Sequence, residues 1–244
     1  MSTRITYATA LRVLWQLRRD PRTLALVLVV PAALIALLKY TFDGQPETFD
    51  RIGGPLIGLF PFVSMFLVTS IAVLRERTSG TLERLMSMPA AKLDLLGGYA
   101  LAFAVVAAVQ ASLTAGISVW LLDLDTEGSA GLLVLLAIAN ALLGMALGLF
   151  MSAFAQTEFQ AVQAMPAFVL PQLLLSGLLV PREAMTPVLE WISWALPMTY
   201  AFDALDRVTA GLTDGRLAAD AAVVAGSTVL ALALGAATLR RRTV

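Results

Sequence analysis

The sequence offers few side chains for covalent or metal chemistry. It contains no cysteine and no histidine. That excludes disulfides, thiolate nucleophiles, Cys/His zinc sites and Ser-His-Asp triads together. The best remaining cluster is Asp203 and Asp206, whose spacing brings two carboxylates to one helix face where they could hold a divalent cation. Arg207 follows at once and no third carboxylate completes a ligand motif. The pair therefore reads first as a helix surface and only second as the site of a polytopic membrane enzyme. A nucleotide site is missing as well. A phosphate-binding loop needs a lysine directly after a glycine, and the two lysines, Lys39 in LLKY and Lys92 in AAKL, follow leucine and alanine. The expectation is a chain that is no enzyme and carries no cofactor, so that any ATPase working with it must be a separate chain.

The elements that could position these residues are set by hydropathy. Of 244 residues 59% are hydrophobic and 14% charged, against roughly a quarter charged in a soluble domain. A globular fold of this size cannot hide that much apolar surface. The 17 basic and 17 acidic residues cancel, which argues against a nucleic-acid partner. A helix needs about 20 mostly apolar residues to cross a bilayer. Six stretches qualify: residues 23–42, 52–74, 95–122, 131–155, 159–180 and 217–239. The sequence thus predicts an all-α, polytopic membrane protein with one transmembrane domain over residues 1–244.

Residues 1–22 do not read as a cleaved signal peptide, because Arg4, Arg12, Arg18, Arg19 and Arg22 precede any apolar core. They read as an amphipathic interfacial helix, with Arg12, Gln16 and Arg19 on one face and Tyr7, Leu11, Leu14 and Trp15 on another, stopped by Asp20-Pro21. Placing both termini in the cytoplasm puts 12 of the 17 basic residues inside, among them Arg75, Arg77, Arg84, Lys92 and Arg240 to Arg242. That matches the bias of Lys and Arg toward cytoplasmic loops. The expected location is the inner or plasma membrane. The spans hold neutral polar groups, Gln110, Asn140, Gln163 and Gln172, rather than an ionisable relay, an argument against ion coupling. A secondary transporter driven by an ion gradient remains the rival reading.

Two connections carry information. Residues 75–94 read RERTSGTLERLMSMPAAKLD, short and densely charged. Between Gly80 and Pro89, residues 81–88 suit about two turns of helix, with Thr81 as cap, Glu83 in the first turn, Arg84 among the charges, and Leu82, Leu85, Met86 and Met88 as an apolar face. Such a knob suits a partner's groove. Residues 181–216 begin with Pro181, Met185 and Pro187. A short amphipathic stretch with Trp191 and Trp194 follows, ending at Pro197. Too short to span, it reads as a re-entrant segment.

With the six spans, these segments resemble the type 2 ABC exporter permease family, its daunorubicin and multidrug exporter permeases above all. The family motif R-E-x-x-x-G-T-L-E-x-L-x-x-x-P stands here as Arg75, Glu76, Gly80, Thr81, Leu82, Glu83, Leu85 and Pro89. Its S-G-x-x-x-P stretch, methionine-proline step and leucine-proline turn stand as Ser176-Gly177, Pro181, Met185 and Pro187 (with Thr186 between them), and Leu196-Pro197-Met198-Thr199-Tyr200. The resemblance implies a half-transporter that pairs with a second permease and two cytoplasmic ATPases, which bind ATP and Mg. It makes residues 75–94 the ATPase-coupling segment and residues 1–22 a connecting helix, with Arg12, Trp15 and Arg19. Residues 181–216 become an outer gate. The substrate, an amphiphilic or lipid-like compound, would pass along the second and fifth spans, past Phe60, Phe62, Met65, Gln163, Phe168 and Gln172. From the residues themselves, Pro61, Pro166 and Pro171 permit bending in these spans. Gly54-x-x-x-Gly58 and Gly144-x-x-x-Gly148 permit close helix packing, read as packing within one protomer. The neutral polar residues of the spans would be inter-helix glue.

Overall fold

The computed structural model describes residues 2–81 and 92–238. The described chain is helical throughout: α1 (Thr3–Arg18), α2 (Pro21–Thr41), α3 (Pro46–Thr78), α4 (Lys92–Trp120), α5 (Ala130–Met151), α6 (Glu158–Leu175), a short 3₁₀ turn (Arg182–Ala184), α7 (Pro187–Trp194), α8 (Pro197–Thr209) and α9 (Gly215–Thr238). Five of these helices, α2, α3, α4, α5 and α9, are long and apolar enough to cross a membrane. The expected fifth span is α6. It has 18 residues, about 27 Å at 1.5 Å per residue, and carries Gln160, Gln163 and Gln172. It ends at Leu175 because Gly177 takes a left-handed φ of 97°.

Local chemistry sets the boundaries. Between α1 and α2, Asp20 accepts hydrogen bonds from the Thr23 amide (3.1 Å) and hydroxyl (2.6 Å), and Pro21 occupies the first helical position. Thr157 caps α6 through the Gln160 amide. The charged segment begins inside a helix rather than in a loop: α3 runs on through Arg75, Glu76 and Arg77 before Gly80 turns at φ 71°.

The bundle is built on α3 against α5. A Cβ on Gly144 or Gly148 would strike the backbone carbonyls of Phe62 and Phe66. These glycines let the two backbones touch, the close packing within one protomer that the sequence suggested. Gly54 and Gly58 make room for side chains of α8, those of Thr209 and Leu205. The order of those contacts fixes the path of α8. Thr209 lies beside Gly54, near the start of α3, and Leu205 lies deeper, beside Gly58. Met198, Ala201 and Phe202 lie deeper still, in one cluster with Leu59 and Phe62. The chain therefore dips into the bundle and runs back along α3 as α8.

The glue expectation fails in an instructive way. Ser64, Ser118 and Thr228 donate to carbonyls four residues back in their own helices, and the Gln172 amide donates to Phe168. Gln110 and Asn140 are fully buried yet make no hydrogen bond to another described residue. Asn140 instead fills space against Gly58. Short polar side chains in a helix reach their own backbone more easily than a neighbour's, so close backbone packing does the work assigned to polar bridges.

Candidate functional site

Functional chemistry gathers at the two ends of the bundle. At one end α1 lies across the start of α4. Gly98 admits it, since a Cβ there would meet the Thr6 carbonyl at 2.8 Å. The Ser2 amide donates to the buried Asp94 carboxylate at 2.9 Å. The α1 face that packs inward carries Thr9, Ala10 and Val13, while Tyr7, Leu11 and Trp15 are exposed. The face named as polar from sequence is thus partly turned onto the bundle. Arg12 forks both carboxylate oxygens of Glu76 at 3.1 Å and donates to the Tyr99 hydroxyl at 2.7 Å. Tyr99 in turn donates to Glu76. The Gln16 amide lies 3.2 Å from Glu76 and 3.3 Å from Arg12. This knot joins α1, α3 and α4. It is worth more than a surface pair, because only 14% of the Glu76 side chain is exposed and charge-assisted hydrogen bonds contribute about 1.5–3 kcal/mol each.

Two further ties extend the knot. Arg75 forks Glu158 at 2.6 and 3.0 Å, linking α3 to α6. Its hydrogen bonds hold the Glu158 carboxyl below the usual carboxylate range. Arg77 donates to the Ser152 carbonyl at the end of α5. Arg75, Glu76, Gly80 and Thr81 therefore lie at this end. Leu82, Glu83, Arg84, Leu85, Met86 and Pro89 lie outside the described residues. Trp15 and Arg19 are exposed beside the knot, with the Arg18 guanidinium over the Trp15 ring at 5.1 Å. Tyr99, Asp94 and Glu158 were missed in the sequence. A Gly-Gly-Tyr step on the first turns of α4 was the available signal for Tyr99.

At the opposite end the connector folds on α8. The Thr199 hydroxyl donates to the Ser193 carbonyl (2.8 Å) and the Tyr200 hydroxyl to the Trp194 carbonyl (2.7 Å), so α8 side chains satisfy the end of α7. Arg182 donates to Asp203 at 2.6 Å and stacks over Trp194 at 4.7 Å. Arg207 joins α8 to Asp214 at 2.9 Å and to Asp220 on α9 at 3.7 Å. Of the gate residues, Pro181, Pro187, Trp191 and Trp194 are exposed, while Met185 and Pro197 are half-buried. Burial pushes the Asp203 carboxyl up against the opposing pull of Arg182. Burial and then the Asp203 charge push Asp206 up. Asp203 is held by Arg182, and among the described residues no three His, Cys, Asp or Glu side chains gather as metal ligands.

The residues named for a substrate path divide. Phe62 and Met65 are fully buried in the protomer. Phe60 is half-buried, Gln163 is exposed, Phe168 is exposed 6.4 Å from Phe66, and Gln172 is buried.

An all-helical bundle with several membrane-length helices describes a multi-pass membrane protein. The family model for the ABC-2 type transporter matches residues 6–208, and the chain belongs to that family. Over 153 residues it is 29% identical to the probable multidrug ABC transporter permease YbhR of Escherichia coli, covering 63% of this chain and 42% of the relative. It is 27% identical to ABC transporter G family member 20 of Dictyostelium discoideum, covering 68% of this chain and 23% of that one. It is 28% identical to the inner membrane transport permease YhhJ of Escherichia coli over 55% of this chain and 36% of the relative. The chain spans less than half the length of each.

Proposed function

We propose that this chain is the transmembrane subunit of an ATP-driven exporter of an amphiphilic or lipid-like substrate, such as a drug, an antibiotic or a glycolipid. Two separate cytoplasmic ATPases supply the energy, and a second permease completes the path. With α6 counted as a sixth span both termini fall on one side of the membrane, and the bias of Lys and Arg toward cytoplasmic loops supports the cytoplasmic side of an inner or plasma membrane. The observation that carries the reading is the Arg12–Glu76–Tyr99 knot. It fastens the amphipathic α1 to the ends of α3 and α4, on either side of residues 82–91. A push on that segment would move α1, α3 and α4 together, which is what coupling requires. Arg75, Glu76, Gly80 and Thr81, with Leu82 to Met86 and Pro89, form the docking segment. The α7–α8 pair serves as the outer gate. Substrate passes along the faces of α3 and α6, where Phe60, Gln163 and Phe168 reach the surface.

The test is Glu83→Lys combined with Leu85→Asp, in a complex reconstituted with its ATPase. The permease should insert normally while export and stimulated ATP hydrolysis are lost. Retention of both refutes the docking role. Trp194→Asp should impair export with the complex still assembled. Export that ignores ATP but collapses with the proton gradient would favour the secondary transporter instead.

A further inference from the structure

A cavity of about 550 Å³ opens between α1, α2, α3 and α4 at the knotted end, within the range of small-molecule sites. It is graded in polarity. Its mouth carries Asp20, Arg75 and Glu76, and its depth carries Val27, Leu67 and Val68. From Arg75 to Ser64, which also lines it, α3 descends about 16 Å at 1.5 Å per residue. The cavity reaches the membrane-facing surface at Leu26 and Val30, both exposed. Water needs two to four polar partners to stay in such a place, and the deep walls offer almost none. An apolar chain would bury those walls.

The mouth specifies the head. Glu76 is saturated by Arg12 and Tyr99. Arg75 spends its Nε and one terminal nitrogen on Glu158, and a guanidinium has five N–H donors, so donors remain for a phosphate. Asp20 sits close enough to feel the Arg75 charge, and its carboxyl is held low, first by the Thr23 hydroxyl. An anion site and a cation site thus flank one opening above an apolar slot. We infer that this cavity binds one phospholipid of the surrounding bilayer, its phosphate at Arg75, its amine at Asp20 and an acyl chain along α2 and α3. The inference rests on the membrane setting and not on ATP-driven export.

The experiment uses the full chain in detergent with phosphatidylethanolamine bearing a photoactivatable diazirine at the acyl terminus. Irradiation should concentrate the label on residues 23–30 and 64–72. Phosphatidylglycerol, which lacks the amine, should label these peptides at least threefold less. Asp20→Asn keeps the helix cap and should erase that preference. Val68→Trp, which fills the slot, should cut labelling there about tenfold. Label spread over α2, α4 and α9 according to exposure, equal labelling by both lipids, or labelling indifferent to Val68→Trp in a folded protein would overturn the proposal.

Discussion

The two ends of the bundle hold their charges in different ways. At the α1 end, ion pairs cross between helices far apart in sequence: Arg12 with Glu76, Arg75 with Glu158. At the α7–α8 end they stay within the connector or reach its neighbouring helix: Arg182 with Asp203, Arg207 with Asp214 and Asp220. The first arrangement ties four helices together. The second leaves α7 room to shift while the spans and the buried α8 stay put, because α7 has few neighbours, α6, α8 and the 3₁₀ turn, and leaves Trp191 80% exposed. A relay and a movable flap are built from the same residue types, and the difference lies in how much chain separates the partners.

The contrast can be broken from the middle outward. Gly148→Val places a methyl against the Phe66 carbonyl, a backbone atom that cannot swing aside. It should separate α3 from α5, the beam joining the ends, and lower stability by about 3 kcal/mol or more, read as loss of folded protein in a thermal melt in detergent. Glu76→Ala should come next, near 1.5–3 kcal/mol, since it leaves Arg12 and Tyr99 without their acceptor. Arg182→Ala should destabilise less, by about 1.5 kcal/mol, because a single charge-assisted hydrogen bond to Asp203 is lost where Glu76 accepts three. Its clearer mark should be faster proteolysis of the α7–α8 connector with the spans intact. Arg75→Ala should have the smallest effect on stability, about 0.2–1 kcal/mol, because more than half of each partner's side chain is exposed.

Acidity sharpens the same contrast. Glu158 is held low by Arg75, so its stabilisation is present above the ordinary carboxylate range and fades as pH falls through its lowered value. Asp203 is pushed up by burial, so the folded chain takes up a proton before the unfolded chain does. Its charge opposes folding increasingly as pH rises through the interval between the two values. Falling pH should therefore relieve α8 first, and should loosen the α3–α6 tie only once it drops below the ordinary carboxylate range. Melting temperatures of Glu158→Gln and Asp203→Asn against pH should show the first variant losing its difference from the parent at low pH, and the second gaining relative stability toward neutral pH.

Much of the molecule was legible beforehand because the bilayer imposes it. Runs of apolar residues are helices by necessity when the backbone finds no water, so the spans, the amphipathic α1 and the break at Asp20-Pro21 follow from composition and local sterics. The Gly144/Gly148 spacing announced a close approach, and the structure supplied the partners, Phe62 and Phe66. The knot was only half legible. Arg12 and Glu76 were named for different reasons, and nothing in their spacing said they meet, since 64 residues separate them.

The sequence by itself determined which segments are helical, which are apolar enough to sit in a membrane, and that the charges collect at helix ends, because these follow from periodicity, turn chemistry and the desolvation of charge. Only the tertiary structure decided which way α1 turns its arginine, that α8 climbs back out beside Gly54 and Gly58, and that an amphipathic cavity is left beside the knot. Those outcomes depend on where helices can approach closely. That is a property of glycines and small side chains brought opposite one another in space rather than of any one segment.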